Sequence, residues 1–477
     1  MPVSLSRRFR QGLAALVLPA LLLTASSCAT YSDKTDAMRD AVSAGSYDRG
    51  LSEINRFIKV KDPLELPAKW KSETALAVLE RATLLHAMQR WDASASNFQA
   101  AEEQLEFLDL TSSADQIGRY IFSDSATRYR TTPTEKLALN AINLINYLAR
   151  GDLDGARVEA KRFTVMRNYL LDYDPDHAHG AFGSYLAGFV AEREGNWDSA
   201  LRYYDEALQE RELPSLHDPI VRVSQRSSYT SERLQRYTGT PALPPTPGAE
   251  AGDPPAEGTA AEAAPEQPPA PAAATPAEVL VVVKTGRVPY KVPRRIPIGA
   301  AIGLAGAYVT GDTTLLEYGA FKVVVFPDLE PAGNLFTDAA WSIDGVDLQI
   351  DMVSDLGFEI TREFDELKPK IIGSALTRMI VRAAAAEGAR AAGNEGNGAV
   401  GLISALAVEG LMVALDKPDT RSWTLLPDRV YIGRAQVPPG EHTVQILVHG
   451  NGGEELHKMQ VNVGDGGYVV LDVTTLR

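Results

Sequence analysis

The chain has one cysteine, Cys28, in 477 residues. Without a second thiol there can be no internal disulfide, and no cysteine-based metal site. Histidine is also sparse. His86, His177, His179, His217, His442, His449 and His457 are the full set, and only His177 and His179 stand close together. No HExxH, GxSxG or phosphate-loop GK(S/T) pattern occurs, so no catalytic motif is written locally. The sequence therefore predicts no enzyme and no cofactor. Positive charge is short as well: 47 Lys and Arg against 62 Asp and Glu leave a net charge of -15. That excess argues against nucleic acid as a partner, and against anionic headgroups as general partners. Long apolar runs are missing too. The run from Leu13 to Ala25 is broken by Pro19, and the one from about Val400 to Leu415 is interrupted by Glu409. Both fall short of the roughly 20 residues that span a bilayer.

What is present begins with an export signal. Arg7, Arg8 and Arg10 precede the first apolar run, and small residues then lead into "TASSCAT", the order of a secretory signal. The stretch "ASSC" resembles a bacterial lipobox, in which cleavage before the cysteine leaves a thiol and a new amino group that carry lipid. Ala25 stands where leucine is usual, with Leu23 nearby. The resemblance implies lipidation at Cys28, anchoring the chain to a membrane and facing the periplasm. Ala29, in place of an aspartate, implies the outer membrane of a two-membrane organism. An ordinary secretory signal with a chance cysteine is the alternative. Downstream, Thr238 to Glu278 is mostly Pro, Ala, Gly, Thr and acidic residues, with no Lys or Arg between Arg236 and Lys284. Such a stretch buries too little apolar surface to offset its ordering entropy. It predicts a disordered tether with a reach on the order of 35 Å, letting two folded bodies work at a distance. The expected division is a signal peptide over 1–27, a helical domain over 28–237, the linker over 238–278 and a β-rich domain over 279–477.

A spacing recurs in the helical part. In "EGNWDSALRYYDEALQE" Trp197, Ala200, Tyr204 and Ala207 lie at helical intervals. Tyr47, Gly50, Ile54 and Phe57 repeat those offsets, as do Trp91, Ser94, Phe98 and Ala101, and Leu153, Ala156, Ala160 and Phe163. Gly45, Gly151 and Gly195 lie in three of the preceding turns. A small residue at the second position lets the preceding helix approach, while the bulky positions pack within and between hairpins. The unit resembles the tetratricopeptide repeat, best in Gly188, Gly195, Trp197, Ala200, Tyr204, Ala207 and, displaced by two, Pro214. The copies start at 47, 91, 153 and 197, separated by 44, 62 and 44 residues, where the family uses about 34. That difference predicts longer helices or insertions; an irregular helical bundle is the alternative. Helical-hairpin arrays present an inner face from their first helices. In the best copy this face holds Tyr185, Phe189, Glu192 and Arg193, the candidate partner-binding residues.

The C-terminal part reads as β-branched or alternating runs bounded by Gly, Pro and Asp turns. In "VPPGEHTVQILVHGNGGEELHKMQVNVGDGGYVVLDV" three strands follow one another through short turns, predicting an antiparallel meander. A helical insertion is expected over about 363–415. The whole is thus a multidomain chain: an all-α helical-hairpin solenoid, a disordered Pro/Ala-rich linker, then an α+β domain with a mainly antiparallel sheet. Read together, "NYLARGDLDGARVEAKRF", "YLAGFVAEREGNWDSALRYYDEAL", "KTGRVPYKVPRRIPI" and "DKPDTRSWTLLPDRVYIGRAQVPPGEHTV" are similar to a family of uncharacterised bacterial lipoproteins with tetratricopeptide-like N-terminal halves. The resemblance implies architecture and brings no reaction.

Remaining site signals are weak. "DYDPDHAHG" gathers Asp174, Asp176, His177 and His179, types that ligate metals, but a solvated loop explains them without a metal. "GNGAVG" at 396–401 fits GxGxxG, yet follows a helical segment where a strand is required. "KPDTRSW" reads as a helix-exit turn pinned by an Asp–Arg contact, or a ligand site. The expected function is a lipid-anchored cell-envelope scaffold that holds protein partners, with peptidoglycan as a further possible contact of the β-rich body. One alternative is a glycan-acting hydrolase or glycan-binding protein, with Asp344, Asp347 or Asp351 convergent in a cleft and raised in pKa. Another is a structural subunit of an envelope complex.

Overall fold

The computed structural model describes residues 29–62, 65–71, 73–107, 128–173, 180–239, 275–311, 313, 323–393 and 418–477. Among these residues are thirteen α-helices and several mainly antiparallel sheets. Cys28, the segments 174–179 and 396–401, the second expected helix and the stretch 240–274 lie outside them.

Eleven helices precede residue 240: α1 (Tyr31–Lys34), α2 (Asp36–Ser43), α3 (Tyr47–Ile58), α4 (Thr74–Ala87), α5 (Trp91–Glu102), α6 (Pro133–Ala149), α7 (Leu153–Tyr173), α8 (Ala181–Arg193), α9 (Trp197–Leu208), α10 (His217–Ser224) and α11 (Glu232–Thr238). A two-residue pair, β1 (Glu106–Phe107) and β2 (Arg130–Thr131), sits before α6. Helices α3, α5, α7 and α9 begin at the four positions that the recurring spacing marks. The turn before each needs one residue in the left-handed region, supplied by Gly45, Gly151 and Gly195 at φ 75°, 72° and 76° and by Gln89 at φ 57°. The small residues make the predicted close approaches: Ala156 and Ala200 are fully buried, and Ser94 Oγ donates to the Ala82 carbonyl at 2.9 Å.

The second part is built on two four-stranded sheets. Its strands are β3 (Ala277–Thr285), β4 (Tyr290–Pro297), β5 (Val323–Glu330), β6 (Asp338–Ile343), β7 (Val346–Leu348), β8 (Ile350–Asp355), β9 (Arg429–Val437), β10 (Gly440–Gly450), β11 (Gly453–Val463) and β12 (Tyr468–Thr475). One sheet runs β12-β3-β9-β8 and the other β11-β10-β6-β7. Val279, Val281 and Val283 of β3 share a core with Trp341, Val444 and Ile446 of the second sheet, so the sheets face each other. Leu280 and Val282, on the other face of β3, belong instead to the core of the helical part. Both faces of β3 are therefore covered, which is why "VLVVV" does not alternate. The molecule is three layers, helices on sheet on sheet.

Three expectations change here. The predicted three-stranded meander stops after β10 and β11: β12 crosses to the other sheet and pairs parallel with β3. Its apolar residues feed both cores, Val473 between the sheets and Val470 toward the helices, which a third meander strand could not do. The helical insertion starts earlier, as helix α13 (Leu356–Gly393), because Asp355 accepts from Phe358 N at 3.0 Å and caps it. The two parts also do not stand apart. One continuous core holds Leu76, Leu84, Ile142 and Tyr185 together with Leu280, Ile432, Trp423 and Leu476.

A smaller unit projects from this body. β4 and β5 pair only with each other, and α12 (Ile298–Ala305) and α13 pack on them around Val324, Phe326, Phe364, Ile371 and Leu376. No helix among the described residues is long and apolar enough to cross a membrane.

Candidate functional site

The four candidate partner-binding residues lie together on α8, but they are not open to a partner. Tyr185 and Phe189 are fully buried and Glu192 is nearly so. What covers them is the chain's own second part. The Phe189 ring meets Tyr468 of β12 edge-on at 5.5 Å, while Tyr185 Oη is 3.2 Å from Oγ of Ser215 in the helical part, whose backbone N donates to Asp351 of β8. Arg193 donates to Glu278 Oε2 at 3.1 Å and to the Gly466 carbonyl at 2.5 Å. The face expected to take a partner is instead covered in cis.

The seam is held by charges placed on one face of the inner sheet. Along β3, Glu278, Leu280, Val282 and Lys284 share the helix-facing side, a charge at each end of an apolar pair. At one end Arg434 of β9 donates to Glu278 Oε1 at 2.6 Å, to Glu192 Oε2 at 2.7 Å and to Tyr204 Oη at 2.7 Å. Its guanidinium lies 4.8 Å from the Phe189 ring centroid. Burial pushes the Glu192 carboxyl up, and Arg434 and Arg222 more than reverse this, holding it at about 2. At the other end Lys284 pairs with Asp472, which lies 3.3 Å from His86 Nε2 of α4. Burial raises Asp472, but Lys284 and His86 hold its carboxyl well below the usual range. Burial lowers both His86 and Lys284. Every charged group at this end is out of water, so each depends on its partner.

A strap over residues 418–426 closes the seam's flank. Asp419 and Arg421 form the contact expected at the start of this stretch. Trp423 is fully buried, its Nε1 donating to Thr83 Oγ1 at 2.9 Å and its backbone N to Glu135 Oε1 at 3.1 Å. Burying such a ring contributes about 2–3 kcal/mol. Glu80 accepts from Thr424 N at 2.7 Å, Thr424 Oγ1 at 2.8 Å and Leu425 N at 2.9 Å. Burial pushes its carboxyl up to about 7 against the pull of those donors. From α13, Glu363 Oε1 accepts from Thr134 N at 2.9 Å, serving the first turn of α6.

The three aspartates proposed for glycan chemistry do not converge. Asp344 lies in the turn between β6 and β7, where His442 and Thr443 N hold its carboxyl below the ordinary value. Asp347 is exposed on β7 of the outer sheet. Asp351 is buried on β8 of the inner sheet, accepting from Ser215 N at 2.7 Å and so tying that sheet to the helices. Asp428 is pushed up to about 6 by burial and by Asp355, at the junction where its backbone carbonyl accepts from Leu356 N and Gly357 N. No three metal-ligating side chains cluster among the described residues.

The helical part does keep one open cleft, between α5, α6 and α7, with a volume of about 680 Å³. Val158, Arg162 and Val165 line it from α7, facing Glu102 of α5 and Lys136 and Asn140 of α6. Val165 is 70% exposed. Lys136 donates to Glu102 Oε1 at 2.5 Å and Arg162 to Glu102 Oε2 at 3.3 Å, leaving an apolar ridge beside a paired charge cluster. Sequence spacing missed this cleft because it pointed to first helices, whereas the exposed ridge lies on α7, a second helix.

Compared with known proteins, the chain matches no family model and no curated sequence.

Proposed function

We propose that this protein is a lipid-anchored cell-envelope scaffold whose helical part and β-sandwich act as one rigid platform. The observation that carries the reading is the charged, buried seam around Arg434 and Lys284, where Arg434 pairs with Glu192 and Asp472 stands by His86, contacts between the parts that are costly to separate. On this reading the helix pairs are tetratricopeptide-like units with long insertions, supported by the shared turn geometry before α3, α5, α7 and α9. Cys28 carries the acyl anchor. Partner binding moves from the covered α8 face to the cleft of α5, α6 and α7, where an apolar ridge with a charged rim suits an amphipathic helix of an envelope protein. A permanent structural subunit of an envelope complex is the same reading with fixed stoichiometry.

In-cell photo-crosslinking tests it, with the reactive side chain at position 165 or, as a buried control, at 189. Position 165 is expected to capture one reproducible envelope protein, lost on Val158→Glu, while position 189 captures only this chain. Capture from neither position, or from 189 alone, overturns the assignment of the cleft.

A further inference from the structure

The projecting unit leaves uncovered an apolar surface that the scaffold reading does not use. Ile298, Ala301 and Ala305 of α12 turn into the small core against α13, while Gly299, Ala300, Gly303 and Leu304 face outward. Leu304 is 52% exposed, Tyr308 41% and Val323 43%. From Ile296 to Gly311 the chain carries no charge, and from Ile296 to Val309 the hydroxyl of Tyr308 is its one polar side-chain group. A protein interface of ordinary size offers about one hydrogen bond per 100–200 Å², and these side chains cannot supply that. Behind this end, Arg294 and Arg295 are exposed on β4. Arg294 pairs with Asp328 and Glu330; apolar residues beside a tyrosine, with basic residues near, are the composition of an element at a membrane interface.

The second observation is where the chain's N-terminal end enters the fold. Helix α1 packs on β4, and the Arg39 guanidinium stands 4.4 Å from the ring centroid of Tyr290, the first residue of that strand. Lys291 N donates to Ser422 Oγ at 3.1 Å, fixing the ribbon's root to the strap. The structure begins at Ala29, and an acyl-bearing Cys28 is one Cα step from it, about 3.8 Å. The eight-residue strand β4 carries the apolar end about 25 Å from this root. A ribbon lying along a bilayer would therefore put both the anchor and its apolar end in the same surface.

We propose that the outer face of α12, with Leu304, Tyr308 and Val323, is a second lipid-contacting site that rests in the interfacial layer of the bilayer. The contact is apolar, so it takes zwitterionic lipid and does not oppose the net charge of -15. Two attachments fix the platform's orientation, which a single flexible anchor cannot. This inference rests on the lipid-anchor reading only for the choice of surface.

The test uses the chain from residue 28 onward with Cys28→Ser, so that no acyl group contributes. Flotation with phosphatidylcholine/phosphatidylethanolamine vesicles is expected at low and high salt alike. The Leu304→Glu, Val323→Glu double variant should lower the bound fraction about tenfold or more. Both positions are substantially exposed, and an unchanged thermal melt shows that the fold is kept. In a separate Leu304→Trp variant, vesicles should shift the difference emission, taken against the parent, to the blue. Absence of flotation and of that shift overturns the proposal. Self-association in the absence of lipid that the double variant abolishes also overturns it, assigning the face to a second copy. Palmitate labelling of the unmodified chain in cells tests the anchor separately. Labelling without flotation would leave the anchor and remove this site; flotation without labelling does the reverse.

Discussion

Arg434 carries two carboxylates, a phenol and an aromatic face at once, with its side chain almost wholly out of water. Arg434→Met fills the space but leaves Glu192 to Arg222 and Tyr204, and Glu278 to Arg193 and Arg222, and urea unfolding should show a loss of about 3 kcal/mol at neutral pH. Glu192 also sets an acid limit. Its folded pKa is lowered to about 2 from 4.5, so its contribution is present above the unfolded value and is lost as pH falls through the folded one. The acid-side decline in stability should shrink in Arg434→Met, whose Glu192 is then held down by Arg222 and Tyr204 without its largest partner. Glu80 works in the opposite direction. Its folded pKa is raised from 4.5 to about 7, so stability is greatest below the lower value and declines as pH rises through the upper one, by on the order of 3 kcal/mol. Glu80→Gln should flatten that decline, whatever it costs overall by turning an amide toward Leu425 N. Unfolding free energies measured across both windows check the pair; equal pH slopes in the variants and the parent would contradict both assignments.

At the scale of elements, the helix pairs depend on small residues where two helices touch. A Cβ on Gly188 would stand 2.4 Å from the ring of Tyr204, whose hydroxyl donates to Glu192 and accepts from Arg434. Gly188→Ala must therefore move a ring that belongs to the seam, and a loss of about 1–3 kcal/mol in thermal or chemical unfolding is expected. Gly155 makes a useful comparison. Its Cβ would meet Tyr147 at 2.2 Å, but Tyr147 is only partly buried and its hydroxyl is held by the exposed contact with Gln99 at 2.6 Å, so Gly155→Ala should cost less. The helices themselves were largely legible: the aromatic or leucine at each second-helix start, the small residue three places on and the turn glycine are local features that act over one or two turns. Where Gln89 replaces the turn glycine, its side chain donates to the Asp472 carbonyl at 2.9 Å, a long-range contact that the spacing could not announce. The strands were legible as strands and not as neighbours. β10 and β11 pair through a tight turn, whereas β12 chose β3, because pairing across the chain is decided by which core needs its apolar side chains.

At the scale of the molecule, the three layers predict one cooperative unit. A protease site inserted into residues 240–274 and then cleaved should leave the halves co-eluting on gel filtration and melting in one transition. Halves that separate after cleavage, or melt independently, would remove the basis of the platform reading. Residues 29–239 alone would lose the sheet that shares a core with Leu76, Leu84 and Tyr185 and the Arg434 partner of Glu192, and should be recovered mainly as aggregate. The seam also changes what a helical array can do here. The α8 face is spent on holding the chain's own sheet; in the reading proposed above, a partner would meet the α5–α7 cleft and a bilayer the apolar end of the β4–β5 ribbon.

The sequence by itself determined the single thiol, the acidic balance, four helix starts and the β character of the C-terminal part. These follow from composition and from interactions within a few residues. It marked the side chains of α8 as a face for a partner, and they are buried within the chain. Only the tertiary structure decided what covers them, because Glu192 and Arg434 are 242 residues apart and Lys284 and Asp472 are 188 apart. Glu278 and Lys284 read as ordinary surface charges ending a strand until the helices close over them. Partners for buried charge are chosen by packing, and no local spacing encodes that choice.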